Sequence, residues 1–157
     1  MRTRIRGAAS QRGFTLMELM IVVALVALLG SFALPAYTGY IDNARVGKAI
    51  QDMGRISLEL QKFQTENDGA LPESLEQLGL GDMRDPWGKQ YIYLAMTPEM
   101  KKGPKRKGPT NQPLNTDFDL VSRGADGKSS KKILNGQAHD DVIRAYNGSY
   151  LGLAEEL

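Results

Sequence analysis

The sequence of 157 residues contains no cysteine. Disulfides and thiolate metal sites are therefore excluded, and an oxidising compartment is permitted without being indicated. There is a single histidine, His139, with no second His or Cys to complete a zinc site, so it reads as a surface residue. No phosphate-binding loop, Ser-His-Asp set, paired catalytic carboxylates or metal-His cluster is evident, which leaves an enzymatic reading without a motif. Acids are missing from residues 1–13, MRTRIRGAASQRG, which hold four of the ten arginines. Without that segment 16 basic residues face 18 acidic ones, so the formal charge of +2 becomes −2. This balance indicates neither a nucleic-acid partner nor an acidic tail. Charge is also absent from Leu19 to Pro35, LMIVVALVALLGSFALP.

What is present at the edge of that run is an acid. In QRGFTLMELMIV, Glu18 interrupts an apolar stretch that approaches the roughly 20 residues a helix needs to cross a bilayer. The arginines before it favour a cytoplasmic N-terminus and send the rest of the chain outward. A secretory signal with Ser31-Phe32-Ala33 as its cleavage site is disfavoured by the length of the run, by Glu18 inside it and by Pro35 just beyond the cut. A plain signal anchor leaves Glu18 unexplained, because a carboxylate in hydrocarbon is costly and usually serves a function. The bland account of Glu18 is a side chain snorkelling to the headgroups.

Pro35 predicts a kink or a local end of the helix. Beyond it, Val46, Ile50, Met53, Ile56 or Ser57, Leu60 and Phe63 recur at three- and four-residue spacing, with Asp52, Arg55, Glu59 and Lys62 between them. The pattern predicts one helix from about Phe14 to Glu66, apolar all round in its first half and with one buried face in its second. Asn67-Asp68-Gly69 ends it, and Pro72 to Leu78 suggests a short second helix. The run after Asp85-Pro86-Trp87-Gly88, and then Asp117 to Ser122, read as strands. Trp87 reads as a core or loop-anchoring aromatic. The expected fold is α+β: a long N-terminal helix, its apolar half embedded in a membrane, packed on a small antiparallel sheet.

Gly13-Phe14-Thr15-Leu16-Met17-Glu18, with basic residues before it and a long apolar helix after it, resembles the prepilin leader of the type IV pilin and pseudopilin superfamily. The blocks GALP (69–72), DPWG (85–88) with Tyr91 and Tyr93, DLVSRGADG (119–127) and DDVI (140–143) narrow the resemblance to the major pseudopilin of the type II secretion system. It implies a pilin-like fold with residues 1–13 as a cleaved leader, 14–36 as the transmembrane and filament-core helix, and 37–157 as a periplasmic globular domain. It further implies that a prepilin peptidase cuts between Gly13 and Phe14 and methylates the new amine. Glu18 would pair with that amine on a neighbouring subunit, and copies would assemble into a helical filament. Expected partners are other copies, the peptidase, the inner-membrane assembly platform and minor pseudopilins. The alternatives are a type IV pilin for adhesion, motility or DNA uptake and, from another class, a membrane-anchored periplasmic enzyme.

The resemblance also implies a calcium ion in the C-terminal loop. Calcium takes six to eight oxygens; Asp126, Asp140 and Asp141 would supply carboxylates, and Arg123 and Ser129 carbonyls. The chain departs from the family in the long linker 127–139, whose Lys128, Lys131 and Lys132 offer a partial substitute for the ion. A second departure is KKGPKRKGP (101–109), which reads as a solvated flexible loop, with an acidic neighbouring subunit or DNA as the functional alternatives. Asn147-Gly148-Ser149 matches the glycosylation sequon, to which no function is attached.

Overall fold

A computed structural model describes residues 13–96 and 105–157, and for residues 35 and 36 the backbone alone. Helix α1 spans Leu16–Glu66. It is followed by a four-stranded antiparallel meander, β1 Ile92–Ala95, β2 Phe118–Ser122, β3 Val142–Ala145 and β4 Tyr150–Leu153, in the order β1-β2-β3-β4. The chain divides into two compact units between Tyr40 and Ile41.

In the first unit the backbone stays helical through Pro35, so the local end expected there does not occur. Intrahelical hydrogen bonding of the neighbouring residues carries α1 past the one missing donor. The apolar side chains described here have no cover: Leu16, Met20, Val23, Leu29 and Phe32 are each at least half exposed. The described residues contain one helix long and apolar enough to cross a membrane, and it is α1.

In the second unit, the predicted stripe of α1 is the buried one. Met53, Ile56 and Leu60 are fully buried together with Ala49, and Val46 and Ile50 pack against them. They meet Tyr91, Phe118, Leu120 and Val142, which come from the sheet and the segment leading into it. Ala49 was not on the predicted stripe, yet it is fully buried in the same cluster. Asp52, assigned to the polar face, is buried, where Lys48 and the Tyr91 hydroxyl (3.3 Å) bind its carboxylate. The expected second helix is a single 3₁₀ turn, Leu75–Leu78, that begins after Pro72.

Because strand side chains alternate, one face of β2 meets α1 and the other needs separate cover. A second core fills that side: Leu114, Val121, Ile133, Ile143, Ala145 and Ala154. Strands β3 and β4 were absent from the sequence reading. Asn147-Gly148, with φ of 56° and 94°, is the hairpin turn between them, and this Asn-Gly pair was the available signal. The Asn147 amide is tied down as well, donating to the Thr116 hydroxyl (2.9 Å) and accepting from the Thr116 backbone N–H (2.8 Å).

Candidate functional site

Gly13 and Phe14 lie just ahead of α1, with Phe14 86% exposed. The basic leader that precedes them lies outside the described residues. Glu18, in the first turn, is the one charged residue between Phe14 and Ile41. Its carboxylate accepts from the Thr15 backbone N–H (3.0 Å) and hydroxyl (3.1 Å), and the Thr15 hydroxyl accepts from the Glu18 backbone N–H (3.1 Å). This is a reciprocal capping box that satisfies donors left over at the helix start. Its sequence signal is the spacing Thr15-x-x-Glu18. The helix N-terminus also favours a negative side chain there. Within one chain, then, the carboxylate is fixed and oriented but meets no cation among the described residues.

The five residues expected at a calcium site come from the β2–β3 connection. Its two ends do meet. Gly124, at φ 58°, passes so close to Asp140 that an added Cβ would sit 2.0 Å from the Asp140 carbonyl oxygen. The Asp126 backbone N–H donates to Asp140 Oδ2 (2.8 Å), and Asp126 Oδ1 accepts from the Lys128 backbone N–H (2.7 Å). Asp126 and Arg123 are exposed, whereas Asp141 is fully buried.

Asp141 Oδ2 accepts from the Ser129 hydroxyl and from Arg106 Nη1 (3.3 Å), while Oδ1 has no partner. Burial pushes the Asp141 carboxyl up to about 6 against the bonds from Ser129 and Arg106, with Asp140 and Asp126 adding to the rise. Arg106 was the unanticipated member. Expected in a solvated loop, it is instead buried, donating from Nη1 to the Ser130 carbonyl (2.5 Å) and from Nη2 to the Ser129 hydroxyl (2.7 Å). Its backbone N–H donates to Asp119 Oδ2 (2.8 Å). Residues 97–104, which include the start of the basic run, lie outside the description.

The orphaned Asp141 Oδ1, and the nearness of Asp140 and Asp126 to that carboxyl, would suit a calcium ion. Against an ion stand the guanidinium already held by Asp141 Oδ2 and the backbone amides already bound by Asp126 Oδ1 and Asp140 Oδ2. Among the described residues no group of three or more acids and histidines is arranged to hold a metal ion. His139 is exposed at the end of a 3₁₀ turn, as expected.

Two further contacts brace the sheet. The DPWG turn is fixed to β2 by the Ser122 hydroxyl donating to Asp85 Oδ2 (2.6 Å), and Trp87 packs half-buried on the helix-facing core. Arg144 forms two bonds to the Asp117 carboxylate (2.8 and 2.6 Å) and lies 3.8 Å over the Phe118 ring.

Residues 8–34 match the prokaryotic N-terminal methylation motif. The chain is 32% identical over 139 residues to the "Type II secretion system core protein G" of Pseudomonas aeruginosa, covering 75% of this chain and 86% of that protein. It is 29% identical over 130 residues to the protein of the same name from Dickeya chrysanthemi, covering 70% and 84%. It is also 52% identical over 146 residues to the "Type IV major fimbrial protein FimA" of Dichelobacter nodosus, covering 89% and 84%. No solved structure matches.

Proposed function

The chain belongs to the type IV pilin-like superfamily, as a major pseudopilin of the type II secretion kind, and from that premise we propose how it is made and used. It enters the inner membrane through the apolar half of α1, with the domain beyond Tyr40 in the periplasm. A prepilin peptidase cuts after Gly13 and methylates the amine of Phe14. Copies then join into a periplasmic pseudopilus that moves folded proteins through an outer-membrane channel. Mechanical work comes from a separate ATPase, and the chain itself is a structural subunit, not a catalyst.

The observation that carries this reading is the uncovered apolar half of α1 with one acid at its start. Membrane lipid covers such a surface before assembly, and the helices of neighbouring subunits cover it afterwards. In that apolar bundle an unpartnered Glu18 carboxylate is costly. Pairing it with the positive amine that cleavage creates on a neighbour's Phe14 removes the cost. A subunit added out of register leaves both charges unpaired, so the pair selects register more than it adds stability. The capping contacts to Thr15 hold the carboxylate at the helix end, where such an amine would arrive.

A second reading is a surface type IV pilus, favoured by the greater identity to the Dichelobacter nodosus fimbrial protein. Deleting the gene and scoring secreted protein alongside surface filaments separates the two. Loss of secretion with surface pili intact supports the pseudopilus, and loss of surface pili with secretion intact supports the pilus.

A further inference from the structure

We propose that the guanidinium of Arg106 is the built-in cation that closes the C-terminal loop of this chain, in the part that the family resemblance assigns to calcium. The inference is independent of whether the filament is a pseudopilus or a surface pilus.

The geometry around Arg106 is that of a cation site. Three oxygens from the β2–β3 connection converge on its planar fork: the Ser130 carbonyl, the Ser129 hydroxyl and Asp141 Oδ2. Asp141 was expected to serve a metal by its carboxylate and Ser129 by its carbonyl; here it is the Ser129 hydroxyl that meets the guanidinium. Arg106 is 7% exposed and Asp141 is fully buried, so the pair is shielded from solvent. A guanidinium is charged at any physiological pH and offers five N–H donors in fixed directions, which suits it to several oxygens at once. Calcium needs its oxygens at about 2.3–2.6 Å, and a guanidinium already seated on Asp141 Oδ2 and the Ser129 hydroxyl repels a second cation at those oxygens.

The two departures from the family pattern then become one feature. The segment carrying Arg106 pairs with the long linker: the Lys107 backbone N–H donates to the Lys131 carbonyl (2.8 Å), and the Ile133 N–H to the Lys107 carbonyl (3.3 Å). Ile133, 2% exposed, plugs the outer core, and Leu114 seals the same face. The end of the basic run and the inserted linker therefore brace each other across the outside of the sheet, with Arg106 as the charged centre. An arginine supplied by the chain is present at unit stoichiometry whatever the calcium concentration, so loop closure should not depend on the metal.

The test uses the full chain in detergent micelles. Wild-type protein is melted with excess EDTA and with excess calcium chloride, and titrated with calcium in a calorimeter. The proposal expects the same melting temperature in both and no binding heat. A melting temperature that rises with calcium and falls again with EDTA overturns it. In parallel, Arg106→Gln and Arg106→Lys are exposed to trypsin. The expected result is several-fold faster nicking between Lys128 and Lys132 in Arg106→Gln, with Arg106→Lys intermediate because it keeps the charge without the fork. Nicking of Arg106→Gln at the wild-type rate also overturns the proposal. If Arg106→Gln does not fold, the calcium titration of the wild-type chain decides alone.

Discussion

Glu18 and Thr15 hold each other: the carboxylate accepts two hydrogen bonds from Thr15, and the Thr15 hydroxyl accepts the Glu18 backbone N–H. One carboxylate thus has two tasks, a local one at the helix start and a proposed one toward the next subunit. Glutamine separates them, since it also completes a capping box but carries no charge. Glu18→Gln should keep the helix start and cleavage after Gly13, and fail to enter filaments. Glu18→Ala should fail likewise and also lose about 0.3–1 kcal/mol of favourable interaction with the helix end. Filament yield by electron microscopy and precursor processing on gels check both variants. Normal filaments from Glu18→Gln would reduce Glu18 to a capping residue.

The meeting of Gly124 and Asp140 gives a backbone test of the loop. A methyl group at 124 collides with the Asp140 carbonyl and forces an L residue to φ 58°. The left-handed conformation alone costs roughly 1–2 kcal/mol, and the collision adds to it. Gly124→Ala should therefore lose more than that in urea unfolding, with the linker near Lys128 opened to protease. A loss under about 0.5 kcal/mol, typical of an inconsequential surface change, would mean the two segments do not meet as described.

The helix face is testable by contrast. Met53 is fully buried against the sheet and Leu58 is 67% exposed on the same helix. Met53→Ala should cost about 2–5 kcal/mol, while Leu58→Ala should leave the stability of the unassembled chain within about 0.5 kcal/mol. Equal losses at the two positions would show that the buried face is misplaced.

Asp117 and Arg144 give a pH dependence. Burial alone would push the Asp117 carboxyl up, but the bonds from Arg144 and from the Phe118 backbone N–H together outweigh it and hold the carboxyl below the ordinary value of 3.8. For a carboxylate lowered in the folded state, the stabilisation is fully present above the unfolded value and is lost as pH falls through the folded one. Asp117→Asn should therefore be less stable than wild type at neutral pH. The gap should close as the pH is taken below about 3.8. A gap that stays constant from neutral to acid pH would contradict the pair's contribution.

The parts visible in the sequence were those with local period or a tight spacing. Gly13, Phe14 and Glu18 stand within six residues, and Met53, Ile56 and Leu60 repeat on one helical face, so each could be read from neighbours along the chain. Asp52 and Ala49 escaped because their burial is decided by partners far away, in one case the Tyr91 hydroxyl. Strand β3 is only four residues long and buried throughout, so it lacks the alternation that exposes a strand to view. Arg106 was hidden most thoroughly. Its neighbours Lys105, Lys107 and Gly108 read as a solvated loop, and its partner Asp141 lies 35 positions further on. A long-range charge pair leaves no periodic trace.

The central claim is that the chain is a filament subunit made through the prepilin route, and mass spectrometry of the N-terminus of the chain recovered from filaments tests it most directly. The account predicts a mature chain that begins with N-methylated Phe14 and lacks residues 1–13. An N-terminus at Leu34, or a chain that retains its leader within the filament, would contradict it.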